Sequence, residues 1–210
     1  MNWSRRLYMT VVGALSAATL SNAAWAAEPQ APDALVKAVA KDVLAILSKP
    51  DQDSTKVSKA IEEKIVDHFD FERMARLSVG KSWREANATQ KQSIVEQFRT
   101  LLLRSYATAY SAARGVVVDV SPLKLQPSDE DVQVKSKIRL PGGAPPITMD
   151  YSMFKTPTAW KVYDVTVNEA SLVSTYRTTF SEQIKQGGID GLIKSLTEMN
   201  AKAATTTAKK

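Results

Sequence analysis

The sequence contains no cysteine and a single histidine, His68. The first absence excludes a disulfide framework, a thiolate nucleophile and a Cys-ligated metal. With one histidine, a zinc site would have to be built mostly from carboxylates, an uncommon ligand set. A Ser-His-Asp arrangement would have to use His68, and no nucleophile-elbow motif accompanies it. Gly142-Gly143 lacks the strand-to-helix context of a phosphate loop. The run Asp129-Glu130-Asp131 reads as a solvated hairpin tip rather than a calcium loop. Beyond the N-terminus, no segment approaches the roughly 20 apolar residues of a membrane span. A concentrated basic face is also missing. The chain has 28 Lys+Arg against 22 Asp+Glu, and setting aside Arg5, Arg6, Lys202, Lys209 and Lys210 leaves 23 against 22. Nucleic-acid binding needs a clustered cationic surface, so it is not expected.

What is present begins with an address. Arg5 and Arg6 precede an apolar, small-residue run from Leu7 to Leu20, and Ala24-Trp25-Ala26 follows in the A-x-A pattern. Positive, apolar and small-residue parts in this order predict a secretory signal peptide over residues 1–26, cleaved after Ala26. The remaining chain, about 184 residues, is the length of one domain. It is expected to work as a monomer, outside the cytoplasm.

Helical spacing dominates the first half. Asp33 is placed to cap a helix carrying Leu35, Val36, Val39, Val43, Leu44 and Leu47, which ends at Pro50. A second pattern runs from about Ser54 with Val57, Ile61 and Ile65. Asp70 opens a short helix bearing Phe71, Met74 and Leu77 and ending near Gly80. Thr89 is the expected start of the longest helix, whose apolar face includes Phe98, Leu102 and Tyr106. The period then changes to two. Val116–Gln126 reads as a strand with Val118 inward, interrupted at Pro122. Val132, Val134 and Ile138 share one parity of the next strand, and Gln133, Lys135, Lys137 and Arg139 share the other. Ile147, Met149, Tyr151 and Met153 follow on a third strand, and Trp160–Val167, with Tyr163 and Val165, forms a fourth. Two helices close the chain, one from about Glu169 with Leu172, Val173 and Tyr176, the other from about Gly188. The Ala/Thr/Lys stretch 201–210 is expected to be a disordered tail.

These elements define an α+β domain over residues 27–200. Connections this short imply an antiparallel, four-stranded sheet. Its one apolar face must be covered, so the helices are expected on a single face of a curved sheet, enclosing an apolar pocket. Asp150 alternates toward water. Asp164 shares parity with Trp160 and Val162. A buried strand carboxylate of this kind can serve as a general base, so an enzyme on a cone-shaped α+β fold stays open. From the residues alone, a carrier of something apolar and a simple packed core are equally compatible.

The strings Phe69-Asp70-Phe71-Glu72-Arg73-Met74-Ala75 and Gly80-Lys81-Ser82-Trp83-Arg84 resemble the MlaC family of periplasmic phospholipid-binding proteins, the toluene-tolerance or ABC-transporter auxiliary proteins. Phe98-Arg99-Thr100-Leu101-Leu102, Trp160-Lys161-Val162-Tyr163-Asp164-Val165 and Gly188-Ile189-Asp190-Gly191-Leu192-Ile193 continue the resemblance in order, from about Leu35 to Asn200. It implies a shuttle without a cofactor and without catalytic residues, whose cargo is phospholipid. Its implied partners are an outer-membrane lipoprotein–porin complex and an inner-membrane ABC transporter with a lipid-binding ring. Its implied role is outer-membrane lipid asymmetry. The apolar faces then become candidate lipid contacts. The helices supply Phe71, Met74, Leu77, Phe98, Leu102, Tyr106, Leu172, Val173 and Tyr176. The sheet supplies Val118, Val132, Val134, Ile138, Ile147, Met149, Tyr151, Tyr163 and Val165. A chaperone for acylated proteins is the nearest alternative.

Overall fold

The computed structural model describes residues 29–49, 54–111 and 115–207. The expected signal peptide lies outside them. The first helix, α1, spans Pro32–Leu47. Its N1 residue is Pro32, whose fixed φ suits a helix start and whose missing N–H would have had no partner there. Asp33, expected as the cap, instead sits in the first turn. Its carboxylate accepts the Leu123 N–H at 3.1 Å, pinning a loop of the sheet to the helix. Next, α2 (Ser54–Ile65) tightens into a 3-10 turn over Val66–His68.

Phe69 and Asp70 then run extended along the sheet. Phe69 bridges Val162 in parallel, and the Asp70 N–H donates to the Val162 carbonyl at 2.8 Å. The Asp70 side chain caps α3 (Phe71–Val79) by accepting the Arg73 N–H at 2.8 Å. Gly80, at φ 69°, ends that helix. The long helix α4 spans Ala88–Ser111, starting slightly before Thr89. Asn87 and Gln90 form a reciprocal capping box with bonds of 3.0 and 2.9 Å, which fixes the earlier start.

The sheet is a five-stranded antiparallel meander in chain order. Its strands are β1 (Val117–Val120), β2 (Asp131–Arg139), β3 (Ile147–Lys155), β4 (Trp160–Val167) and β5 (Ala170–Ser171). The first strand stops at Val120, short of the expected Gln126, because Pro122 has no N–H for the ladder. The fifth strand was not expected. Asn168 and Glu169 take positive φ, 45° and 69°, and close a two-residue hairpin where a helix start was expected. The last helix, α5, therefore begins at Leu172 and continues to Thr207, into the Ala/Thr/Lys stretch. It breaks at Gly188 (φ 66°, ψ −164°), where a second helix was expected to begin.

Alternation along β2 is as read from sequence. Gln133, Lys135, Lys137 and Arg139 are exposed, while Val134 and Ser136 are buried. β4 departs from simple alternation. Ser152 pairs with Asp164 but Met153 pairs with Val162, so Tyr163 is an extra residue in a β-bulge. The bulge puts Trp160 and Val162 on the same apolar face as Val165, although their parities differ.

Two apolar clusters result. One packs α3, α4 and α5 around Met74, Phe98, Phe180, Leu192 and Leu196. The other packs α1, through Val36, on the sheet residues Val134, Met153, Trp160, Val162 and Val165. Phe98 is the hub of the first, edge-on to Tyr176 at 4.9 Å and to Phe180 at 5.1 Å. Such edge-to-face pairs contribute about 0.5–1.5 kcal/mol each beyond burial.

Candidate functional site

Between the two clusters runs a seam. Phe69 and Leu172 pack against both clusters. Each stands where the chain passes from sheet to helix, just before α3 and at the start of α5. On the helical side the half-buried residues are Phe71, Leu77 and Tyr176. On the sheet side they are Val132, Met149, Tyr151 and Val167. Phe69 and Phe71 stack at 5.6 Å with planes 19° apart. Val134 pairs with Tyr151 and Tyr151 with Val165, so Tyr151 stands at the centre of the apolar face. Its hydroxyl donates to the Met149 sulfur at 3.1 Å. The seam is thus apolar, with one phenol on its sheet wall. Burial raises the Tyr176 phenol above its usual range on the other side, with the Ser105 hydrogen bond opposing it.

The expected contact residues divide into groups. Met74, Phe98, Leu102, Val134, Val165 and Val173 are buried inside the clusters, behind the seam. Phe71, Leu77, Leu172 and Tyr176 are half-buried against the helical cluster, and Val132, Met149 and Tyr151 against the sheet cluster. Val118, Ile138 and Ile147 are half-buried and paired with one another across β1, β2 and β3, at the far end of the apolar face. The side chain of Tyr106 lies outside the described residues.

Tyr163, the bulged residue, packs against the helical cluster. Its hydroxyl donates to Asp131 at 2.7 Å. Burial and the Asp131 hydrogen bond raise its pKa. Arg73 lies over both the Tyr163 ring, at 4.1 Å, and the Phe154 ring, at 4.2 Å. It also reaches the Asp131 carboxylate at 3.2 Å. This arrangement staples α3 to three strands.

Sequence reasoning missed Phe69 and Val167. Phe69 was visible as half of a Phe-Asp-Phe string, whose period of two marks an extended residue before a helix. Val167 was hidden by the bulge. Apolar residues at 160, 162, 165 and 167 are a period-two pattern with one residue inserted, which is a bulge signature.

Asp164, the strand carboxylate suited to general-base chemistry, is engaged in the fold. Asp164 is a clamp. One carboxylate oxygen accepts the Val165 N–H at 2.8 Å and the Val173 N–H at 3.0 Å, and the other accepts the Ser171 hydroxyl at 2.5 Å. It ties β4 to β5 and to the first turn of α5. His68 ends a 3-10 turn. Burial lowers its pKa, nearby Lys161 lowers it further, and Asp67 opposes both. The Lys161 ammonium itself donates to the Asp67 carbonyl. Two surface hollows, of about 330 and 310 Å³, have polar walls. The first lies along α5 beside Arg177, Glu182 and Lys185. The second crosses the sheet at Lys135, Lys137, Asp150 and Thr166.

An open antiparallel sheet, with a helix on its apolar face and a helical cluster flanking its fourth strand, defines an α+β protein with a split apolar interior. The sequence profile described as MlaC protein matches residues 37–198. A phospholipid-binding protein from Ralstonia solanacearum, solved in complex with a phospholipid, is 36% identical and superposes with a TM-score of 0.75. The match covers 82% of this chain and 98% of that one. The chain belongs to the MlaC family. No helix among the described residues is long and apolar enough to cross a membrane.

Proposed function

We propose that this protein binds phospholipid and carries it through the periplasm, with the acyl chains laid in the seam and the headgroup in water. The observation that carries the reading is the divided interior. Large apolar side chains of both clusters stay half-buried, although each has a packed cluster behind it. Side chains left half in water gain burial when an acyl chain covers them.

The need for such a carrier is physical. Each exposed CH₂ costs about 0.8 kcal/mol, so a tail of ~15 methylenes strands roughly 12 kcal/mol if it crosses water bare. A protein that covers the tail removes most of that barrier. The bound phospholipid of the Ralstonia protein supports the same cargo here. The finer role we propose is export by the N-terminal signal, exchange with an outer-membrane lipoprotein–porin complex and with an inner-membrane ABC transporter bearing a lipid-binding ring, and upkeep of outer-membrane asymmetry. The commitment of Asp164 to the fold weighs against an enzyme.

The test is transfer between vesicles. The chain without residues 1–26 is added to donor vesicles containing a fluorescent phospholipid and to unlabelled acceptors. The reading predicts a transfer rate that rises in proportion to protein and is indifferent to a soluble diacyl lipopeptide. A rate unchanged by protein would sink the carrier reading. Strong inhibition by the lipopeptide would favour a chaperone of acylated proteins.

A further inference from the structure

Arg99 is a half-exposed cation beside the half-buried Phe71 of the helical cluster. It sits on α4 between Val95 and Leu102 of the same helical stripe, both part of the helical cluster. Its guanidinium lies 5.7 Å from the centre of the Phe71 ring, and Phe71 is stacked on Phe69, which belongs to both clusters. One aromatic ring therefore separates this charge from the seam. Its partner is Glu62 of α2, at 3.0 Å, with the two side chains 42% and 40% exposed. An ion pair this wet contributes little to stability, so exchanging its anion costs little. Neighbouring arginines are committed differently. Arg73 is held between two rings and Asp131, and Arg104 donates to the Asn200 carbonyl at 2.9 Å.

We propose that Arg99 receives the phosphate of the cargo, and that Glu62 holds the guanidinium until the phosphate replaces it. This rests on the carrier reading and adds to it the residue that meets the headgroup. A guanidinium pairs two N–H donors with two phosphate oxygens, a geometry that carboxylate and phosphate share. A phosphodiester bears one negative charge, as Glu62 does, so the guanidinium changes partner without changing the charge it pairs with. The remainder of the headgroup stays in water, and discrimination falls on the phosphate itself.

The probes are dioleoyl phosphatidylglycerol and dioleoylglycerol, which share tails and differ in the phosphate. Retention of each is measured by native mass spectrometry for the wild type, Arg99→Gln, Arg99→Lys and Glu62→Gln, with thermal unfolding as the folding control. The wild type should prefer the phospholipid by about tenfold or more, the size of one charge-assisted contact. Arg99→Gln should lose the preference while still binding dioleoylglycerol, and Arg99→Lys should keep part of it. Glu62→Gln should retain phospholipid better than wild type, because the competing anion is gone. A purely structural ion pair predicts the opposite, with Glu62→Gln and Arg99→Gln failing alike, and that result overturns the proposal. An undiminished preference in Arg99→Gln also overturns it. Displacement of the lipid by millimolar inorganic phosphate would assign the site to the free ion instead. A wild type that takes up neither probe defeats the carrier reading, and this inference with it.

Discussion

Asp164 carries more of the fold than any other single carboxylate described above. It joins three backbone segments through one side chain, and the helix start at Val173 relies on it. Removing it leaves the Val173 N–H and the Ser171 hydroxyl without their acceptor. Asp164→Ala is expected to cost about 1–3 kcal/mol, measured by urea unfolding, with Asp164→Asn costing less because one oxygen acceptor remains. Neither change should alter the lipid preference discussed for Arg99. The role was illegible in the sequence because the partners lie seven and nine positions away, across a hairpin that the sequence did not announce. Asn168-Glu169 is an unusual pair for that turn, since a Glu at φ 69° lacks the freedom that glycine brings there. Tyr163 falls at the bulge, where it packs against the helical cluster while its hydroxyl donates to Asp131. Parity arguments hold only while a strand keeps its period, and the bulge changes the period by one residue.

Elements with a clean period were the most legible. β2 could be read directly, because four polar residues, three of them charged, alternate with an apolar set and a one-residue slip would bury them all. The α3 boundaries were also readable from Asp70 and Gly80, a capping side chain and a positive-φ terminator. The α4 start was readable in principle, since Asn87 and Gln90 have capping-box spacing, yet the hydrophobic pattern alone pointed later. The break in α5 yields a sharp prediction from two adjacent glycines. Gly188 adopts φ 66° and ψ −164°, a region closed to side chains, although a Cβ there would meet nothing within 4 Å. Gly188→Ala should therefore cost about 1–3 kcal/mol from backbone strain alone. Gly187 is helical and equally open, so Gly187→Ala should stabilise by about 0.5–1 kcal/mol. Thermal unfolding of the two variants should move in opposite directions. If both destabilise, the break is not a local property of Gly188.

At the scale of the whole molecule, the consequential feature is that the apolar interior is not one core. The expectation was helices on one face of a curved sheet, enclosing an apolar pocket, and from the sequence every apolar face looked alike. The structure sorts those faces into fully buried residues, such as Met74 and Val134, and half-buried ones, such as Phe71 and Tyr151. The sorting depends on contacts far apart in sequence, which periodicity cannot supply. The extended Phe69-Asp70 pair along β4 is the main example, because it brings α3 to the sheet edge and creates the seam. The central claim is that this seam holds phospholipid. It is tested most directly by purifying the protein gently and weighing it by native mass spectrometry, with lipid extraction of the same sample. The account predicts a mass above that of the chain by one phospholipid, about one per molecule. A bare chain that also takes up no phospholipid from vesicles would contradict it.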